Sequence, residues 1–209
     1  MTAASVAGST VLDPGSWEPD VSQLPDGWLG LDEARALARL AKGRTVLEIG
    51  AFLGRSTVAM ARTATLVVSV DHHRGSAEHQ PIAGAGAFVP WTIDPADPAK
   101  IDTARQFLAN LAHYGVRDRV MAVVADASLA LPLLAPRSFG LAFVDGGHDY
   151  ETARRDIEHA LRLVGPDSFV VCHDGHDAEV RRAIDAAALA QSLAPILVAG
   201  SLVALRTPP

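Results

Sequence analysis

The chain has 209 residues, of which 49% are hydrophobic, enough for one domain with a packed core. Its formal net charge of −6 argues against a nucleic-acid-binding surface and against an anionic membrane surface. A single cysteine, Cys172, excludes an internal disulfide framework, and no charged-then-apolar leader or bilayer-length apolar run is visible, so a cytoplasmic, reducing location is expected.

In chain order, residues 1–27 are rich in Ser, Gly, Pro and Asp, with scattered Trp17 and Leu24. That composition predicts an arm without a core of its own, and the main domain is expected over 28–209. Residues 29–41 carry apolar side chains at helical spacing, with Asp32 and Glu33 in the first turn, where acidic groups favour a helix start. A short buried strand is expected at 45–49, running into a turn with Gly50 and Gly54 before a helix opens near 55–57. A second strand, 65–70, ends at Asp71. Residues 72–99, dense in Gly, Pro and His, are too long for an ordinary βα loop, and such loops are usually functional or mobile. An amphipathic helix follows at 101–114, then a third strand at 120–125 ending in Asp126 and a fourth at 139–144 ending in Asp145. Residues 149–164 read as a helix stopped by Gly165 and Pro166. A fifth strand at 168–172 ends in His173 and Asp174, and 178–190 is a helix. Two last strands, 196–199 and 202–206, are joined by Gly200 and Ser201 as a hairpin. Met60, Phe107 and Leu111 are assigned to the core.

Strands that alternate with helices, each strand a continuous apolar run, predict an α/β fold: a parallel sheet covered on both faces. The closing hairpin adds one antiparallel strand, giving seven strands. In open sheets of this kind ligands bind beyond the carboxyl ends of the strands. Glu48, Asp71, Asp126, Asp145 and the pair His173-Asp174 are therefore expected to converge on one cleft. Any one of these acids would equally serve as a helix cap; the whole set, beside a glycine turn, points to a ligand. Glycine lets the backbone approach that ligand closely, and the N–H groups of the new helix face it.

The spacing Glu48-x-Gly50-x-x-x-Gly54-x-Ser56 differs from the dinucleotide fingerprint Gly-x-Gly-x-x-Gly. It resembles the first motif of the class I S-adenosylmethionine-dependent methyltransferases. The resemblance implies their Rossmann-like fold, S-adenosylmethionine as donor, and a donor site comprising Glu48, Gly50, Ala51, Ser56, Asp71, His72, Asp126, Ala127 and Asp145. Asp71 would accept both ribose hydroxyls. Asp126 and Ala127 would meet the adenine amino group and ring edge. The backbone at Gly50 would approach the methionine portion, and Ser56 would bond its carboxylate.

A second segment, Phe143-Val-Asp-Gly-Gly-His-Asp-Tyr150, places Asp145 and His148 three apart across a Gly-Gly turn that lets both face the cleft. Asp145, His173 and Asp174 are candidates to share one divalent ion, and carboxylate oxygens favour Mg²⁺ or Mn²⁺. The segment resembles the metal-dependent O-methyltransferases of the cephalosporin hydroxylase-like and macrolide-sugar group, with the likeness running over residues 29–206. That group ends its fifth strand in two acidic residues; here His173 precedes Asp174, which softens the preference for Mg²⁺. His148 is the candidate general base, since an imidazole of pKa about 6.5 suits proton transfer near neutral pH; its structural alternative is a helix-start residue bonding the backbone. His73 and Arg74, with His79, are candidates for the acceptor pocket and equally for a surface loop. His176 is expected in solvent and Trp91 as a packing anchor.

The expected reaction is methyl transfer to a hydroxyl of a sugar or sugar-containing metabolite, a small molecule or an oligosaccharide. Polar, acidic and histidine groups suit such an acceptor, and aromatics total only 5%, which provides poorly for a stacking wall. Lysine occurs only at Lys42 and Lys100 beside abundant arginine, a usage expected of a GC-rich bacterial genome. The chain also resembles the actinobacterial enzymes that methylate mycobacterial methylmannose polysaccharide precursors at the 1-hydroxyl. Three rivals stay open: a phenolic or macrolide hydroxyl as acceptor, a non-catalytic protein that binds S-adenosylmethionine, and an NAD-binding oxidoreductase. The N-terminal arm is free to pack on a second copy in a homodimer.

Overall fold

The computed structural model describes residues 20–75, 93–94 and 97–209. Its elements are α1 (Leu31–Ala41), β1 (Thr45–Ile49), α2 (Arg55–Ala61), β2 (Leu66–Asp71), β3 (Ile93–Asp94), β4 (Asp97–Ile101), α3 (Ala104–His113), β5 (Val120–Val124), α4 (Ala127–Ala130), β6 (Phe139–Val144), α5 (Tyr150–Leu163), β7 (Val164–Cys172), α6 (Ala178–Ala190), β8 (Ile196–Ala199) and β9 (Leu202–Arg206). Seven strands form one sheet in the order β5-β2-β1-β6-β7-β9-β8. The first five are parallel, and β9 runs antiparallel to both β7 and β8. This is the expected mostly parallel sheet with one antiparallel strand.

The chain leaves β1 for β2 and β5 on one side and comes back to β6 and β7 on the other. The order therefore reverses between β1 and β6, and such a switch point leaves a crevice beyond the strand ends. Side-chain alternation divides the core in two. Val46, Phe143 and Val171 pack with Leu37, Met60, Phe107 and Leu111 from α1, α2 and α3. Leu47, Ile49 and Val170 pack with Ile157 and Ile184 from α5 and α6. Asp149 caps α5 by accepting from the Thr152 N–H, and Asp177 caps α6 by accepting from Glu179 and Val180, so both helices start at fixed points beside the crevice.

Three expectations change. The helix expected from residue 101 starts at Ala104, because Ile101 pairs with Ile93 in a small antiparallel hairpin and the Asp102 carboxylate accepts from the Ala104 N–H at 3.0 Å. Part of the long 72–99 loop is thus β3 and β4; His79 and Trp91 lie outside the described residues, as does Trp17. The fifth strand begins at Val164 rather than 168, with a register irregularity opposite Phe139 and Leu141. Finally, Leu24 does not belong to a coreless arm. It is buried in the main core, and the Tyr114 hydroxyl donates to its carbonyl oxygen at 2.9 Å. Among the described residues no helix is long and apolar enough to cross a membrane.

Candidate active site

A cavity of about 730 Å³ opens beyond the carboxyl ends of the strands. Its centre is the back-to-back contact of the turns after β1 and β6. Gly50 has φ +85°, and its N–H donates to Val70, while the Asp145 N–H donates to Ile49 at 2.8 Å. A Cβ on Gly50 would stand 2.0 Å from the Asp145 carbonyl oxygen, so only glycine permits this approach.

Asp71, at the end of β2, holds the glycine turn. Its Oδ2 accepts from the Ala51 and Phe52 N–H groups at 2.8 and 3.0 Å, and its Oδ1 from the His73 N–H at 2.6 Å. The expected ribose acceptor therefore also shapes the loop that receives the donor. A carboxylate offers about four lone-pair sites, so an acceptor position is left on Asp71, which lines the cavity with Gly50, Ala51 and His72. Asp126 and Ala127 also line it. The Asp126 Oδ1 accepts from the Ser128 N–H and hydroxyl, which caps α4 and holds its pKa below the usual carboxylate range.

Two expected donor contacts are corrected. Glu48 is fully buried and is not in the cavity wall. It accepts from Ser56 at 2.6 Å, Thr57 at 2.6 Å and Ser69 at 2.7 Å. Its side chain leaves β1 toward the face covered by α2, where it ties that helix to the sheet. Ser56 lines the cavity, but its hydroxyl is given to Glu48 rather than to a ligand carboxylate. Burial pushes Glu48 up to about 7 although the three hydroxyls pull the other way.

The acceptor candidates separate as well. His73 is buried, pairs through Nδ1 with the Thr103 hydroxyl at 2.8 Å and packs on Phe107; it is a core histidine outside the cavity wall, and burial lowers its pKa. Arg74 is exposed and does not line the cavity. His176 is exposed, as expected, but stands in the wall 4.0 Å from Asp174. Composition missed an aromatic pair at the cavity: Trp28 and Phe52, ring centroids 4.9 Å apart, with Trp28 68% exposed. The Arg55 guanidinium clamps this segment by donating to the carbonyls of Pro25 and Leu29, both at 2.7 Å. The legible signal was Trp28 directly ahead of a predicted helix, three residues after Pro25.

On the other side of the switch point, Asp145, His148 and Asp174 bring one ligand atom each to within 4.8 Å of one another. Asp174 reaches His148 Nε2 at 3.2 Å, and its hydrogen bonds to His148 and His173 hold its pKa far below the usual carboxylate range. Two carboxylates and an imidazole fit a divalent cation, with the nitrogen moving the preference from Mg²⁺ toward Mn²⁺ and its neighbours. The expected ligand His173 stands beside that set, against both of its aspartates. It is buried, with Nδ1 3.2 Å from Asp145 and 2.9 Å from Asp174, and Nε2 3.4 Å from Glu33. Burial alone would lower its pKa, yet Asp145 and Asp174 raise it to about 11. Glu33 in turn accepts from the Gly30 N–H and from the Ser201 N–H and hydroxyl, which joins α1 and the β8–β9 turn to the site.

A family profile described as a methyltransferase domain matches residues 47–175, a stretch that holds the glycine turn and the Asp145–His148–Asp174 cluster. A catechol O-methyltransferase of Mycobacterium tuberculosis is 30% identical over 155 residues, 73% of this chain; the match spans only 59% of that longer protein. The cofactor-bound crystal structure of Rv0187 from MTB superposes with TM-score 0.61 at 25% identity, covering 88% of this chain and 83% of that one. The O-methyltransferase TomG from Streptomyces achromogenes, solved with S-adenosylmethionine, shares the fold with TM-score 0.56 at 21% identity over 84% of this chain and 78% of its own. With its seven-stranded sheet, its glycine turn at the switch point and this profile match, the chain belongs to the methyltransferase domain family with the Rossmann-like class I fold.

Proposed function

We propose that this protein is a metal-dependent O-methyltransferase that moves a methyl group from S-adenosylmethionine to a hydroxyl of a sugar or sugar-bearing metabolite. The observation that carries this reading is the Asp145–His148–Asp174 cluster, set in the same cavity as the Gly50 turn and Asp71. A divalent ion held by the two aspartates would supply Lewis acidity to the acceptor oxygen. His148 accepts the hydroxyl proton, with its ring oriented by Asp174. His173 holds the two aspartates toward each other as a buried cation. The backbone of Ala51 and Phe52, fixed by Asp71, receives the donor, so much of the rate comes from positioning. A sugar is favoured by the polar wall around the cluster, where His176 and Asp177 add to Asp174.

Two further readings each rest on one observation. The three ligand atoms within 4.8 Å favour His148 as a metal ligand, with the proton leaving by another group. The Trp28–Phe52 pair favours a phenolic ring as acceptor, because an exposed aromatic face stacks on another. One experiment addresses the reaction and the acceptor together. The protein is incubated with S-adenosylmethionine and Mn²⁺ against a panel of sugars, oligosaccharides and catechols, and products are read by mass spectrometry. Methylated sugar is the expected outcome. Methylated catechol alone replaces the acceptor, and stabilisation by NAD instead of S-adenosylmethionine in a thermal-shift assay removes the reaction class.

A further inference from the structure

Asp156 is a buried carboxylate in the cavity wall for which the reaction above has no use. It sits on the inner side of α5 and is only 2% exposed. Its Oδ1 has no hydrogen-bond partner. The guanidinium of Arg155 comes no closer than 3.6 Å through Nε, beyond hydrogen-bond reach. Its Oδ2 would stand 3.0 Å from a Cβ at residue 146, so the turn after β6 runs close against the carboxylate and leaves no room there for a side chain. Burial pushes Asp156 up to about 6 against the pull of the Arg155 guanidinium, and Asp126 and Asp149 add negative charge nearby. A folded chain that leaves a buried acceptor unbonded gives up stability. Such a group is explained when a ligand supplies the missing donor.

Its place in the cavity limits what that donor is. Asp156 lines the wall with Arg155, Asp126 and Ala127 and feels the charge of Asp126, whereas the cluster that serves the acceptor stands at the ends of β6 and β7. A methyl donor whose reacting end faces that cluster extends its nucleobase the other way. The adenine ring ends in an exocyclic amine, a double hydrogen-bond donor. Asp126, the acid expected to meet it, is exposed and uses Oδ1 on Ser128. A desolvated acceptor contributes more than an exposed one, because water competes less for it.

We propose that Asp156 accepts a hydrogen bond from the adenine amine of the bound donor and so selects an amino-purine at that end of the cavity. This rests on S-adenosylmethionine being the donor. Asp156 is then a donor-binding residue that the ligand-free protein keeps at a cost to its own stability.

The test is a ligand–protein cycle read by calorimetry. S-adenosylhomocysteine and its analogue lacking the 6-amino group are titrated into the wild type and into Asp156→Leu. The wild type should prefer the amino compound by roughly 10- to 100-fold, the usual range for a hydrogen bond to a charged group. Asp156→Leu should bind both with similar affinity. Ligand-free Asp156→Leu should also melt about 2–4 °C higher than the wild type, since a buried carboxylate with an unbonded oxygen is gone; a residue with only a structural role would melt lower. If Asp156→Leu does not fold, Asp156→Asn keeps one acceptor oxygen and should narrow the preference by about 2- to 10-fold. A variant that keeps the full wild-type preference overturns the assignment alone, and points to Asp126 or to an ordered water on Asp156. A wild type that binds neither compound overturns the assignment and the proposed donor together.

Discussion

The Asp145 carbonyl oxygen lies against the α-carbon of Gly50, at 2.0 Å from where a Cβ would be. The two turns that build the site, one after β1 and one after β6, are thereby locked to each other. Gly50→Ala must shift one of them and also hold a φ of +85° with a side chain. The conformational part costs about 1–2 kcal/mol and the overpacking about 1–3 kcal/mol. Urea unfolding should show a loss of that size, with weaker donor binding in the fraction that folds. An unchanged midpoint together with unchanged donor affinity would contradict the contact.

Asp71→Asn should lower stability and donor affinity together, because one side chain serves the glycine turn and the expected ribose site. An amide has a single acceptor oxygen for the N–H groups of Ala51, Phe52 and His73. The expected loss is about 1–3 kcal/mol in unfolding and a similar loss in calorimetric binding of S-adenosylhomocysteine. Weaker binding at full stability would confine Asp71 to the ligand.

The Glu48 carboxyl makes stability depend on pH. Its folded pKa of about 7 lies above the ordinary 4.5, so between those values the folded state binds more proton than the unfolded one. Its contribution is therefore fully present below about pH 4.5 and lost as pH rises through 7. The span corresponds to about 3 kcal/mol as an order of magnitude. Asp156, raised to about 6, adds a slope of the same sign, so the comparison is made against Glu48→Gln. Unfolding free energies measured from pH 4.5 to 7.5 should fall more steeply for the wild type than for that variant. Parallel curves would mean that Glu48 titrates alike in both states.

Asp145→Ala and Asp174→Ala should each abolish Mn²⁺ binding and activity, and a chelator should stop the wild type until Mn²⁺ or Mg²⁺ is restored. Titration of Mn²⁺ followed by electron paramagnetic resonance checks the binding directly. Full activity in excess chelator would make the cluster structural.

His148→Ala separates base from ligand. As a base, His148 accounts for about 10²–10⁴ in kcat, with metal affinity nearly kept. As a ligand it takes metal affinity with it. His73→Ala is the control: its ring bonds Thr103 and packs on Phe107 in the core, so it should lower Tm and leave KM for the acceptor unchanged. A KM effect without a Tm effect would return His73 to the acceptor pocket.

The order of strands and helices was readable from the sequence because it is written in local signals. Apolar runs and the glycine turn at Gly50 each act within a few residues, and the predicted β6 and α6 coincide with the observed ones. The same signals placed Asp71, Asp126, Asp145 and Asp174 at strand ends, where a parallel sheet with a switch point brings them to one cavity. What each side chain does there was decided by partners far away in sequence. Glu48 turned from the ligand because Ser69, 21 residues on, meets it beneath α2. His173 is held between Asp145, Asp174 and, 3.4 Å from its Nε2, Glu33, which lies 140 residues earlier. Ile101 left the predicted helix to pair with Ile93, and Trp28 reached the cavity because Arg55 holds the carbonyls on either side of it. Spacing along the chain determines which residues arrive at the strand ends; burial and long-range hydrogen bonds determine which of their atoms remain available for chemistry.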